Sequence, residues 1–160
     1  MEIWDAYDEK FNKIDGVSLI RDKKIPDGYF HLVCEIIVRH ADGTYLIMQR
    51  DKRKHLGGMW EATAGGSALQ GEDPMTCAIR ELREETGIVS SNLKEIGRVI
   101  HHGHKSYYVD YLCNTDVEKS SITLQDGETS DYRWVEAEEL RNMDRNLLAT
   151  QRIQNFIEEL

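Results

Sequence analysis

Cysteine is scarce in this chain and follows no pattern. Cys34, Cys77 and Cys113 are odd in number, widely spaced and free of C-x-x-C pairs, which argues against a disulfide framework or a cysteine zinc site and leaves reduced thiols used mainly for packing. Long apolar runs are missing too: none approaches the length of a membrane span, and the opening MEIWDAYDEK lacks a basic stretch followed by an apolar one. A cytoplasmic protein is expected. Basic side chains are in deficit, 20 against 29 acidic ones for a net charge of −9, which disfavours a nucleic-acid polymer or an anionic membrane as partner. An acidic protein still accepts an anionic small molecule when metal ions bridge the two. No repeat, low-complexity tract or Pro/Gly/Ser-rich linker divides the 160 residues, so one domain over 1–160 is expected, large enough to bury about two-thirds of its unfolded surface.

What is present begins with strand patterns. Glu2 to Tyr7 alternates loosely, and Val17 to Ile20 provides its partner, together an N-terminal β extension over about residues 1–28. Asp27-Gly28 turns the chain into Tyr29–Arg39, where Val33, Ile36, Ile37 and Val38 make the most apolar strand, and Asp42-Gly43 returns it through Tyr45–Arg50. Further strands are expected over Glu61–Ala64, Leu93–Ile100, Tyr107–Cys113 and Tyr132–Val135. Helices are expected over Glu136–Met143 and Arg145–Leu160, the second carrying an apolar stripe of Ile153, Phe156, Ile157 and Leu160. The order of strands, helix, strands and helix predicts an α+β fold, a mixed β-sheet sandwiched between α-helices.

The central helix has both ends signed. In GSALQGEDPMTCAIRELREETGI, Gly66 to Ile88, Asp73 suits the N-cap, Pro74 the first helical position and Gly87 the C′ position that stops it. At roughly 100° per residue, Met75, Ala78, Ile79 and Leu82 fall on a packing face, while Glu81, Glu84 and Glu85 gather on an acidic one. Like charges at i, i+3 and i+4 cost about 0.2–0.5 kcal/mol per pair, and two of these glutamates sit in the last turn, where the macrodipole favours cations. A local cost without a local gain points to a bound cation. Oxygen-only ligands favour Mg²⁺, with Mn²⁺ as substitute, over zinc.

Gly66, Glu72 and Arg80-Glu81-Leu82-Arg83-Glu84-Glu85-Thr86-Gly87-Ile88 match the pattern G-x5-E-x7-R-E-U-x-E-E-x-G-U without a departure. This stretch resembles the Nudix box of the MutT-like hydrolases. Seven fixed letters would match a given window roughly once in 10⁸ by chance. The resemblance implies a Nudix fold and a pyrophosphohydrolase that cleaves a diphosphate bond in a nucleotide or nucleoside diphosphate-linked substrate by metal-activated water attack. It assigns Glu84 and Glu85 as metal ligands, Glu81 as a third ligand or the base, the Gly65 carbonyl as a further ligand, and Glu72 and Arg80 as residues that orient the glutamates. Gly66, Glu72 and Gly87 serve the motif's shape. Glu128 lies in the loop where many relatives place one more carboxylate, a ligand or base.

Outer motifs resemble the Nudix branch related to type I isopentenyl-diphosphate isomerase: E-x-W-D-x-Y-D near the start, His31-Leu32-Val33, and Gly58-Met59-Trp60 before the box. Gly65 and Ser67 stand where that isomerase has its cysteine and a metal-binding histidine, so hydrolysis is the expected chemistry, with an isomerase or a nucleotide-sensing module as alternatives. Lys52, Arg53 and Lys54 form a basic cluster suited to a substrate phosphate, or a solvated loop. Tyr29 and Trp60 offer rings for stacking on a base, or core. His101, His102 and His104 on a turn form a polar turn near the substrate or a metal site. The opening strands also offer an edge for homodimer pairing.

Overall fold

A computed structural model describes residues 1–149 and 151–159, with the backbone alone over 151–154. Its organising strand is β3 (His31–His40), preceded by β1 (Ile3–Tyr7) and β2 (Lys13–Ile20). Around β3 lie β4 (Tyr45–Arg50), β5 (Trp60–Glu61), β6 (Thr63–Ser67), β7 (Leu93–His101), β8 (Ser106–Thr115) and β9 (Thr129–Val135). β3 pairs with β8 in parallel from His31↔Ser106 to His40↔Thr115. Its other edge is shared: Val33 to Ile37 pair with β6, and Arg39 with Tyr45 of β4. The other pairings between named strands are antiparallel, so the sheet is mixed, as expected. The parallel pair requires a long crossover, and α1 (Pro74–Thr86) lies within it.

Period-two alternation gives the sheet two different faces. Leu32, Cys34, Ile36 and Val38 on β3, with Tyr107, Val109, Tyr111 and Cys113 on β8, are buried against Cys77, Ala78 and Leu82 of α1. Fully burying a leucine such as Leu82 contributes about 1.5–3 kcal/mol. Opposite this core, Glu35, Ile37, Tyr108 and Asp110 line a cavity. A second core of Ile37, Ile47, Val135, Leu140 and Ile157 closes one end beneath α2 (Ala137–Asn142) and α3 (Gln151–Glu158).

The caps of α1 form as the residue types dictate. The Thr76 amide donates to Asp73 Oδ1 at 2.7 Å, and Gly87, at φ 79°, donates its amide to the Arg83 carbonyl. The acidic face is not a solvated one, however. Glu81 and Glu85 are buried, at 9% and 8% exposure, because β6 packs on that side of the helix; Met75 and Ile79, expected in the core, are only partly buried. The expected helix over Arg145–Leu160 is also corrected. A 3-10 turn (Arg145–Leu147) precedes α3, and the Ala149 amide donates to the Trp60 carbonyl at 2.9 Å, a tie to β5 that a continuous helix would forfeit. Phe156 and Ile157 of the apolar stripe pack in the second core; the side chains of Ile153 and Leu160 lie outside the described residues.

β1 and β2 make a separate two-stranded sheet. It buttresses the loop that enters α1: the Gly71 amide donates to Asp5 Oδ2 at 2.8 Å, and the Gln70 amide to the Ile3 carbonyl at 3.0 Å. All three cysteines are buried free thiols.

Candidate active site

Two glycines of β6 let the carboxylates of α1 come close. Gly65 lies opposite Glu35 in the β3 register, and a Cβ there would stand 2.1 Å from the Cys34 carbonyl oxygen. At Gly66 a Cβ would stand 2.7 Å from Glu81 Oε1. The missing side chains leave space that the sheet backbone and the Glu81 carboxylate fill. The Gly65 amide donates to Glu85 Oε2 at 3.2 Å.

Arg80 ties this arrangement to the preceding loop. Its Nε and Nη2 donate to the two oxygens of Glu72, each at 2.8 Å. Nη1 donates to Glu81 Oε1 at 2.9 Å and Glu84 Oε2 at 3.1 Å, and Nη2 also reaches the Ser67 carbonyl at 3.2 Å. Glu72 in turn accepts from the Leu69 amide at 2.7 Å. One guanidinium thereby ties the loop to two helix carboxylates.

Burial works against the charged form of Glu72, but the Arg80 guanidinium and the Leu69 amide outweigh it and hold its carboxyl below the ordinary value. Glu81 goes the other way: burial raises its carboxyl despite Arg80, with Glu84 and Glu72 adding repulsion. Glu85 is pushed well above its ordinary value, first by burial and then by Glu81, against the Gly65 amide and with Glu61 and Glu128 adding to the rise. Carboxylates crowded and desolvated in this way favour a nearby cation.

Among the described residues, no three His, Cys, Asp or Glu side chains converge as a formed metal centre. The expected set of Glu81, Glu84 and Glu85 is therefore not gathered on one point: Glu84 is exposed, and Arg80 holds both Glu81 and Glu84. The donor chemistry nevertheless fits a hard divalent cation, since every side chain in the set is a carboxylate, two are buried, and Glu81 adds to the cost of ionising Glu85.

Glu85 opens onto a cavity of about 190 Å³ that Arg50, Lys54, Glu61 and Gly65 also line. Glu35, Arg50 and Thr63 are shared with a larger cavity of about 830 Å³. Leu56, Ile96, Val99 and Phe156 make the larger cavity apolar, and His101, His104 and Tyr108 form one wall. Of the basic cluster, only Lys54 faces the smaller cavity. Arg53 is bound by Asp51 at 2.8 Å and Asp126 at 3.4 Å, and Lys52 is exposed. Lys54 forms an ion pair with Glu128.

The two expected stacking rings belong to the cores. Tyr29 packs on Trp4, Ala6 and Leu19, and Trp60 on the second core. Neither lines either cavity. The histidine turn divides: His101 and His104 stack at 4.2 Å and face the larger cavity, while His102 turns edge-on to Phe30. His31 stacks on Trp4 at 4.3 Å and hydrogen-bonds the Lys105 carbonyl, and burial lowers its imidazole below the ordinary value. It is a packing residue. Sequence reasoning missed Glu35, Arg50, Glu61 and Tyr108. Glu35 carried a signal, a carboxylate in the middle of the most apolar strand; the others sit at positions that become neighbours only through strand pairing.

A NUDIX domain profile matches residues 30–160. The chain belongs to the Nudix hydrolase family. That family membership makes it a pyrophosphohydrolase by class. An uncharacterized Nudix hydrolase of Listeria monocytogenes is 34% identical over 141 residues, which cover 88% of this chain and 83% of that protein. An isopentenyl-diphosphate Delta-isomerase of Rhodobacter capsulatus is 26% identical over 121 residues, covering 72% of this chain and 69% of the isomerase. A crystal structure from Deinococcus radiodurans superposes with a TM-score of 0.78 at 17% identity, over 99% of this chain and 98% of that one. It shares the Nudix fold. No described helix of the chain is long and apolar enough to cross a membrane.

Proposed function

We propose that this Nudix enzyme hydrolyses a diphosphate bond in a small nucleotide, with Mg²⁺ as its metal and Mn²⁺ as a substitute. The observation that carries the reading is the pair of cavities that share Glu35, Arg50 and Thr63. Buried Glu85 faces the smaller one beside the cations Arg50 and Lys54, and the larger one is apolar enough for the rest of the substrate. Glu81, Glu84 and Glu85 would hold the metal, with the Gly65 carbonyl as a further donor. When bound there, a divalent cation neutralises phosphoryl oxygens and lowers the pKa of an attached water.

The chain's own groups do the rest. Glu81 or Glu128 takes the proton from the attacking water. Lys54 binds the outer phosphate. Arg80 and Glu72 keep the glutamates aimed. The nucleoside portion lies against His101, His104 and Tyr108, where flat rings stack.

Turnover of the purified protein with Mg²⁺, across nucleoside di- and triphosphates, nucleotide sugars, ADP-ribose and isopentenyl diphosphate, tests this directly. Cleavage at one diphosphate bond, lost in Glu84→Gln without loss of fold, is the expected result. Mg²⁺-dependent turnover retained in that variant would remove Glu84 from the metal set. Rearranged isopentenyl diphosphate, or a ligand bound and never cut, would replace the hydrolase with an isomerase or a sensor. The positioning role of Arg80 makes a separate prediction. Arg80→Lys cannot bridge Glu72, Glu81 and Glu84 at once, so Mg²⁺ affinity should fall by about 10–100-fold while the melting temperature changes little. An unchanged affinity by calorimetry would make Arg80 a fold residue only.

A further inference from the structure

Two groups that the proposed hydrolase uses are bound to each other. Lys54, which lines the smaller cavity, is ion-paired with the Glu128 carboxylate. The loops that carry them have other ties: the Asp51 amide donates to the Glu128 carbonyl at 3.0 Å, and Arg53 reaches both Asp51 and Asp126. Neither tie uses the Lys54 or Glu128 side chain. Either side chain can therefore change partner while the loops stay joined. Glu128 is also near enough to Glu85 to add to the repulsion that burdens it, so its carboxylate has two destinations, the Lys54 ammonium or a cation held by the α1 glutamates.

We propose that Lys54 is a phosphate-operated latch: it holds the Glu128 carboxylate until a substrate phosphoryl group takes the ammonium, and the released carboxylate then turns to the metal site. This rests on the metal-dependent reading above. A phosphoryl group brings more charge and more acceptor oxygens than a carboxylate, so it displaces Glu128 from Lys54. The pair is partly exposed, 30% for Lys54 and 39% for Glu128, and such pairs are weak enough to exchange readily. Lys54 is in this respect a positioning residue for Glu128 as well as a phosphate ligand. The site is completed by the molecule it cuts.

The test is Mg²⁺ affinity of the substrate-free protein, measured by calorimetry through a double-mutant cycle of Lys54→Met and Glu128→Gln. Lys54→Met should tighten Mg²⁺ about fivefold, because Glu128 is then free to reach the metal. Glu128→Gln alone should change it little, and the double variant should match Glu128→Gln. Removing a positive charge also favours a nearby cation without any latch, and the Glu128→Gln background separates the two effects. If the gain persists in that background, or if Lys54→Met gives no gain, the latch is overturned and the hydrolase reading stands. Absence of Mg²⁺ binding by the wild-type chain would overturn both. Lys54→Gln repeats the measurement with a polar stem, and melting curves confirm that each variant is folded.

Discussion

Replacing Glu85 with Gln is expected to abolish metal-dependent turnover, by on the order of a thousandfold, and at the same time to raise the melting temperature of the metal-free protein. The two effects have one cause. Glu85 is buried beside Glu81, Glu61 and Glu128, and its carboxyl is held well above the ordinary value of 4.5. The folded state therefore keeps the proton more tightly than the unfolded state does. Stability associated with the protonated carboxyl is fully present below about pH 4.5 and is lost as pH rises through the higher folded value. Near neutrality the metal-free wild type bears that cost, and the Gln variant, neutral at every pH, does not. Each kcal/mol recovered should appear as roughly 2–4 °C. Melting curves from pH 5 to 8 should show the variant's advantage growing with pH, and Mg²⁺ should stabilise the wild type more than the variant. A variant that melts lower than wild type at every pH would mean that Glu85 is held by contacts that outweigh its desolvation.

The adjacent glycines should respond to alanine in opposite ways. Gly65→Ala places a methyl 2.1 Å from the Cys34 carbonyl oxygen and 2.9 Å from the Glu35 Cα. Both obstacles are backbone of the central strand, so β6 must detach or shift, at a cost of about 3 kcal/mol or more. Gly66→Ala meets only the Glu81 carboxylate, at 2.7–2.9 Å, the far end of a flexible side chain that can swing away. Its stability should change by about 1 kcal/mol or less, while Mg²⁺ affinity drops about tenfold or more because Glu81 is displaced. Thermal melts and metal titration of the two variants check the contrast. Unchanged Mg²⁺ affinity in Gly66→Ala would remove Glu81 from the metal set.

The ends of α1 were legible because capping acts within four residues. Asp73, Pro74 and Gly87 sit where local geometry requires them, and the observed helix starts and stops with them. The strand at Tyr45–Arg50 was legible for a similar reason, since Asp42-Gly43 makes the turn before it and the short apolar run Tyr45 to Met48 follows. The glutamate cluster announced itself by breaking local rules. Its burial was not announced. Helical periodicity separates an apolar side from a polar side, but it does not say that β6 will lie over the polar one, and that packing is what makes Glu81 and Glu85 costly and useful.

The sequence by itself determined the family, the helix that carries the carboxylates and the mixed α+β architecture, because motif spacing, caps and apolar periodicity are short-range properties. Only the tertiary structure decided that Glu85 shares a cavity with Arg50 and Lys54, that Tyr29 belongs to the core, and that Lys54 and Glu128, 74 residues apart, hold each other. Those facts depend on the pairing of β4 with β9, which sets Arg50 opposite Thr129, on the packing of Tyr29 against the β1–β2 sheet, and on the seating of β6 against α1. The free energy of such long-range contacts is set by the whole core, and no local pattern records it.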